Sequence, residues 1–189
     1  MMRAVLLAAL LALPAAAQDF SAGSEAAEWG LQGERKARFA ARVVDILCLL
    51  AGDCPPDCGA GTRQLGLLRS ADGVLVLPLK NAQPLFSGAV ADLAPFCGQM
   101  VEVDGLLVGD PAMTPAPVYQ VQRIRPAKGA WAPANRFTAD WAARNPQAAA
   151  LPGPWFRKDP RILAEIARGG YLGLGPEADR AFIAAGRGR

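Results

Sequence analysis

Three cysteines fall within eleven residues, Cys48 to Cys58, reading CLLAGDCPPDC, and a fourth follows at Cys97. Sulfur at this spacing supports three chemistries. An even cysteine count in an oxidising compartment makes two disulfides. Alternatively, Cys48, Cys54 and Cys58, with Cys97 as a fourth ligand, hold copper or zinc as thiolates. The spacings are C-x5-C and C-x3-C, not the paired CxxC of zinc ribbons. A third reading makes Cys54 and Cys58 a redox pair, again without a CxxC. Asp53 and Asp57 flank these sulfurs, and like-charge repulsion there disfavours a reactive thiolate.

The chain contains no histidine. That excludes histidine-ligated haem, zinc and copper, the Ser-His-Asp and Cys-His arrangements, and a histidine general base. Glu102 and Asp104 lie two apart and share one strand face, the convergence acid–base work needs. A solvated β face is the expectation for them. The glycines of GAG and LGLG match no phosphate loop. No catalytic signature remains, and the expectation is a protein that is not an enzyme.

The elements that must position the cysteines follow from patterning. Phe39 to Leu50 is a long apolar run rich in β-branched residues, read as a strand of a closed sheet that ends at Cys48. Thr62 to Arg69 and Val74 to Lys80 are two further strands around an Asp72-Gly73 turn. Pro78 marks an edge or bulge. Ser87 caps a short helix over Gly88 to Phe96. Gln99 to Val108 and Val118 to Arg125 complete five strands, the last with imperfect alternation that predicts a bulge or an exposed face. Asp45 is expected to face out or pair with an arginine.

The order β-β-β-α-β-β is that of the OB fold, a five-stranded, partly open barrel. The stretches VVDILC, LGLL, DGVLVLPL, DLAPFCGQMVEVDGLLV and YQVQRI resemble small secreted or periplasmic bacterial OB-fold proteins over about residues 38–126. Those carry a cysteine at the end of the first strand and more in the following loop, often with a histidine among them. This chain lacks that histidine. In such a barrel strands one and four are neighbours, which favours Cys48–Cys97 with Cys54–Cys58. The fold class expected is mainly β with helical extensions: an OB-fold-like barrel plus an α-helical C-terminal tail.

Outside the barrel, residues 1–17 read as a signal peptide. Arg3 is followed by the apolar run Val5 to Leu13, then Pro14 and Ala15-Ala16-Ala17. The run is too short to span a bilayer, so a periplasmic or secreted protein without a membrane span is expected. Residues 18–37 read as a helical lead-in begun at Ser24 with Glu25 and Glu28, followed by the charge run Glu34 to Arg38. That run is expected to be solvated, with partner docking as an alternative.

Residues 127–189 read as a helical extension packing on the barrel. Thr138 begins one helix and Asp159-Pro160 another. A third covers Pro176 to Ala185. Trp131, Trp141, Trp155 and Phe156 are its anchors, or else a partner-binding arm. The 20 basic and 17 acidic residues give a weak net charge of +3, too little for a nucleic-acid groove. The barrel offers mainly Phe39 and Tyr119 for base stacking. The function expected is a disulfide-stabilised binding or accessory protein that contacts a protein or small ligand. The alternative is a copper or zinc carrier, or a thiol-redox factor, for envelope metalloproteins.

Overall fold

The computed structural model describes residues 18–80, 88–109, 116–170 and 175–186. The expectations for the signal peptide, the Ser87 cap, the 81–86 loop and most of the 110–117 loop fall outside these residues. Strand β1, Arg35–Asp45, turns Ala37, Phe39, Ala41, Val43 and Asp45 inward at period two. Its eleven residues reach two neighbours. The second half pairs with β2, Leu65–Arg69, and the first half with β4, Met100–Val108, both antiparallel. Strand β3, Leu75–Leu79, follows β2 through the Asp72-Gly73 turn. Strand β5, Val118–Pro126, lies against β4.

A parallel pairing of Leu77, Pro78 and Leu79 with Val118, Tyr119 and Gln120 closes the barrel. Pro78 thus sits in the closing seam, and the neighbouring Leu77 N–H donates to the Pro117 carbonyl at 2.8 Å. The result is an OB-type five-stranded barrel with an added short strand β6, Ala132–Pro133, on β5. The expected irregularity in β5 is real. Asp104 faces Arg123 and Gly105 faces Val121, so Gln122 is left unopposed as a bulge.

The core collects Phe39, Val43, Leu65, Leu67, Val103 and Tyr119 with their inward neighbours. Tyr119 packs its ring 4.8 Å from Phe39 and donates its hydroxyl to the Ala37 carbonyl at 2.8 Å. Burial, then the nearby Asp104 charge, raises its phenol well above the ordinary range. Across the barrel, Gly105 has no room for a side chain: a Cβ would lie 2.1 Å from the Gln120 carbonyl oxygen.

Three expectations are corrected. Strand one does not reach Leu50. It stops at Asp45, whose carboxylate accepts the N–H groups of Leu47 (2.9 Å) and Cys48 (3.2 Å) and caps helix α1, Ile46–Ala51. The segment after Gln18 is an irregular strap, not a helix. Ser24 donates its hydroxyl to Asp104 at 2.5 Å, and the Glu25 N–H does so at 2.9 Å, so the groups that would begin a helix are used across the barrel. Strand one also starts before Phe39: residues 35–38 of the charge run belong to it, with Arg35 and Lys36 exposed and Ala37 buried.

Helix α2, Gly88–Leu93, is followed by a tight turn over Ala94–Phe96, where Pro95 ends the α-helical geometry. The C-terminal extension holds α3, Arg136–Arg144, α4, Pro146–Ala149, α5, Pro160–Gly169, and α6, Pro176–Gly186. Helix α3 begins two residues before the expected Thr138, whose hydroxyl donates to the Asn135 carbonyl. Asp159 caps α5, accepting from the Arg161 N–H at 2.8 Å with Pro160 at the first position.

Candidate functional site

The loop joining β1 to β2 carries the chemistry, and three local devices hold its shape. Asp45 starts α1, and Gly52, in the left-handed region at φ 74°, ends it by donating to the Cys48 carbonyl. Arg63 ties the far side of the loop to its near side, donating to the Asp53 carboxylate at 2.8 Å. The same guanidinium lies 3.8 Å from buried Asp45. The third device is the pair of disulfides, Cys48–Cys54 and Cys58–Cys97.

This pairing replaces the expected Cys48–Cys97 and Cys54–Cys58. Because β1 ends early, Cys48 stands on the first turn of α1, where its Cα is 4.4 Å from that of Cys54. Asp57, Cys58 and Ala60 all adopt left-handed backbone, with φ of 48–49°. Such a conformation costs each non-glycine residue on the order of 1–2 kcal/mol. It turns Cys58 into the core, beside Cys97. Cys97 is placed by the hairpin-like contact of Gly98 and Gln99 with Val43, at 2.9 and 3.0 Å. All four sulfurs are bonded in pairs, so this state offers no thiolate to copper or zinc. Among the described residues, no group of three or more metal-ligating side chains converges.

Helix α1 buries none of its residues. Leu47, Leu49 and Leu50 are 52%, 43% and 70% exposed. Under the helix lies a cavity of about 280 Å3 whose walls include Val43, Leu49, Pro55 and the sulfurs' residues Cys48, Cys58 and Cys97. The loop is therefore an apolar rim above a small pocket whose apolar walls are edged by Arg42, Asp45 and Asp57.

The aromatic candidates are divided. Trp141 is buried and donates its indole N–H to buried Asp159 at 2.6 Å. Trp155 packs 5.2 Å from Phe137, 5.9 Å from Trp141 and 6.1 Å from Phe156. This cluster anchors α3 to the turn before α5, and of the three predicted aromatics in it only Phe156 is exposed. The Arg161 guanidinium, with the Trp141 and backbone donors, outweighs desolvation and holds Asp159 well below the usual carboxylate range.

Trp131 stands apart. Its ring lies 4.6–5.2 Å from the guanidiniums of Arg125, Arg123 and Arg38. Glu102 accepts from Arg38 at 2.6 Å and from Arg125 at 2.7 Å. Desolvation pushes Glu102 up, yet the two arginines together pull it below its ordinary value. Asp104 is buried under the N-terminal strap. The expected wet face of β4 is thus an ionic latch that fastens the N-terminal strap and the segment at Trp131 to the barrel.

One group was not visible as special in the sequence. Lys80 follows β3 and lies at the base of a cleft of about 340 Å3 with Trp29, Phe137 and Trp155 on its walls. Its amine donates to the carbonyls of Val121 (2.9 Å) and Ala134 and meets Asp92 at 3.2 Å. Burial lowers its pKa, and Asp92 opposes this. Asp92 also accepts the Arg136 N–H at 2.9 Å, at the start of α3. With three donors and three partners, the amine is a pin between barrel, α2 and extension, not a nucleophile. Compared with known proteins, the chain matches no protein-family model, no curated protein and no solved structure.

Proposed function

We propose that this chain is a non-enzymatic accessory protein of an oxidising extracytoplasmic compartment, the bacterial periplasm or exterior, and that it docks onto a protein partner through the α1 rim. The observation that carries this reading is the exposure of Leu47, Leu49 and Leu50 on a helix none of whose residues is fully buried. Together they leave more than one and a half leucine side chains in water. Covering them supplies on the order of 2–5 kcal/mol, and contiguous exposed apolar surface marks interaction sites. The helix is fixed by a cap, a left-handed stop and a disulfide, so little order has to be gained on binding. The loop after the first strand is also one of the two loops through which OB barrels contact ligands. Two disulfides suit an oxidising compartment.

Affinity purification from the native organism under non-reducing conditions tests this. Wild type and a tail variant, Leu163→Asp with Phe182→Asp, are expected to retain one stoichiometric protein. Leu47→Asp with Leu50→Asp is expected to lose it while keeping the barrel's circular dichroism. Retention by the rim variant, or loss only from the tail variant, overturns the reading.

A further inference from the structure

The two disulfides differ in what they hold. Cys58 is 9% exposed and belongs to the barrel core, against which Cys97 packs. Their bond spans 39 positions and fixes the left-handed turn. Cys54 is exposed, Cys48 is half-buried, and their bond spans six positions. Opening it releases a constraint on α1, none of whose residues is fully buried. Beside Cys48 lies the 280 Å3 cavity, with Val43, Leu49 and Pro55 as apolar walls and Arg42, Asp45 and Asp57 at its edges.

From these contrasts we infer that Cys48–Cys54 is an exchangeable disulfide that accepts electrons from a dithiol peptide, with Cys58–Cys97 as the fixed bond. The exchange chemistry does not rest on the docking reading. The donor's first thiolate attacks Sγ of Cys54, the more exposed residue of the pair. The Cys54–Cys48 bond breaks, its electron pair leaves on Cys48 as thiolate, and a mixed disulfide joins the donor to Cys54. The donor's second thiolate then attacks its own first sulfur. Cys54 leaves as thiolate, and the donor departs as a disulfide. Two electrons have passed to Cys48 and Cys54, and protons follow from water. The cavity's Val43, Leu49 and Pro55 walls receive the side chain next to the attacking cysteine, which selects a peptide-borne thiol with an apolar neighbour over a small polar thiol.

The test uses the full oxidised protein and three reductants: a Leu-Cys-x-x-Cys peptide, the same peptide with serine for leucine, and glutathione. Timed alkylation and peptide mass mapping follow each cysteine. Cys48 and Cys54 are expected to be alkylated while Cys58–Cys97 stays intact, with the leucine peptide several-fold faster than the serine peptide. A single-cysteine peptide is expected to be trapped on Cys54. Leu49→Asp is expected to erase the leucine advantage without changing barrel circular dichroism. Loss of both bonds together, earlier loss of Cys58–Cys97, resistance of all four cysteines, trapping on Cys48, or equal rates for the two peptides each overturns the assignment.

Discussion

Removing the Cys48–Cys54 bond by Cys48→Ala with Cys54→Ser separates the two jobs the loop performs. The bond closes a ring of seven residues, a separation of six. In the chain-entropy treatment such a ring stabilises by about 2 kcal/mol. Helix α1 has six residues, far below the roughly 12–15 an isolated helix needs in water. Its Asp45 cap supplies only ~1 kcal/mol. The variant is therefore expected to lose amide protection across Ile46–Ala51 while the barrel strands keep theirs. With a urea slope of about 2 kcal/mol/M, the unfolding midpoint falls by roughly 1 M. Hydrogen exchange read by mass spectrometry, beside a urea titration followed by tryptophan fluorescence, measures both. A midpoint loss above about 2 M, or loss of strand protection, would show that the local staple carries the barrel. Unchanged protection in α1 would show that something other than the staple holds the helix.

Gly105→Ala forces a Cβ to 2.1 Å from the Gln120 carbonyl. It is expected to cost more than about 4 kcal/mol, because backbone must move at a paired position; a thermal melt within a few degrees of wild type would contradict this. Ala60→Gly relaxes a left-handed residue with an exposed side chain. A gain of roughly 1 kcal/mol in chemical denaturation is expected. Glu102→Gln tests the ionic latch through pH. The folded Glu102 pKa lies below the unfolded value of 4.5, so its stabilisation is present above about pH 4.5 and is lost as pH falls through the folded value. The wild-type advantage, about 1 kcal/mol after solvent screening, is expected to shrink below pH 4 in paired denaturation curves. A difference that stays constant from pH 7 to 3 would refute it.

The strands were legible wherever one physical rule acted alone. Inward alternation marked β4, the Asp72-Gly73 turn joined β2 to β3, and the imperfect alternation of β5 marked a bulge or an exposed face, which the structure resolves as a bulge at Gln122. Asp159-Pro160 gave the α5 start because cap and proline act on the same backbone atoms. The rest depended on partners distant in the chain. The run VVDILCLL reads as one apolar strand, and the sole sign of its break is Asp45, a single capping carboxylate among β-branched neighbours.

The disulfide pairing turned on left-handed backbone at Asp57, Cys58 and Ala60, whereas Gly59 and Gly61 are the residues that sequence rules put in such conformations. Ser24 and Glu25 satisfy the pattern of a helix start, but Asp104, eighty positions away, takes their donors. Glu102 and Asp104 alternate like a wet face, and only the strap and Trp131 reveal that the face is an ionic latch. The aromatic tail read as either anchor or arm. Trp141 and Trp155 form an internal cluster, and the larger exposed apolar surface lies on α1, α5 and α6 instead.

The docking claim is tested most directly by placing a photo-crosslinking phenylalanine analogue at Leu50, in the native compartment, beside controls at exposed Glu28 and at Phe182. A single discrete crosslinked protein from position 50, absent from position 28 and stronger than from position 182, is the predicted result. No crosslink at position 50 above the Glu28 control, in cells where the protein is folded and oxidised, would contradict it.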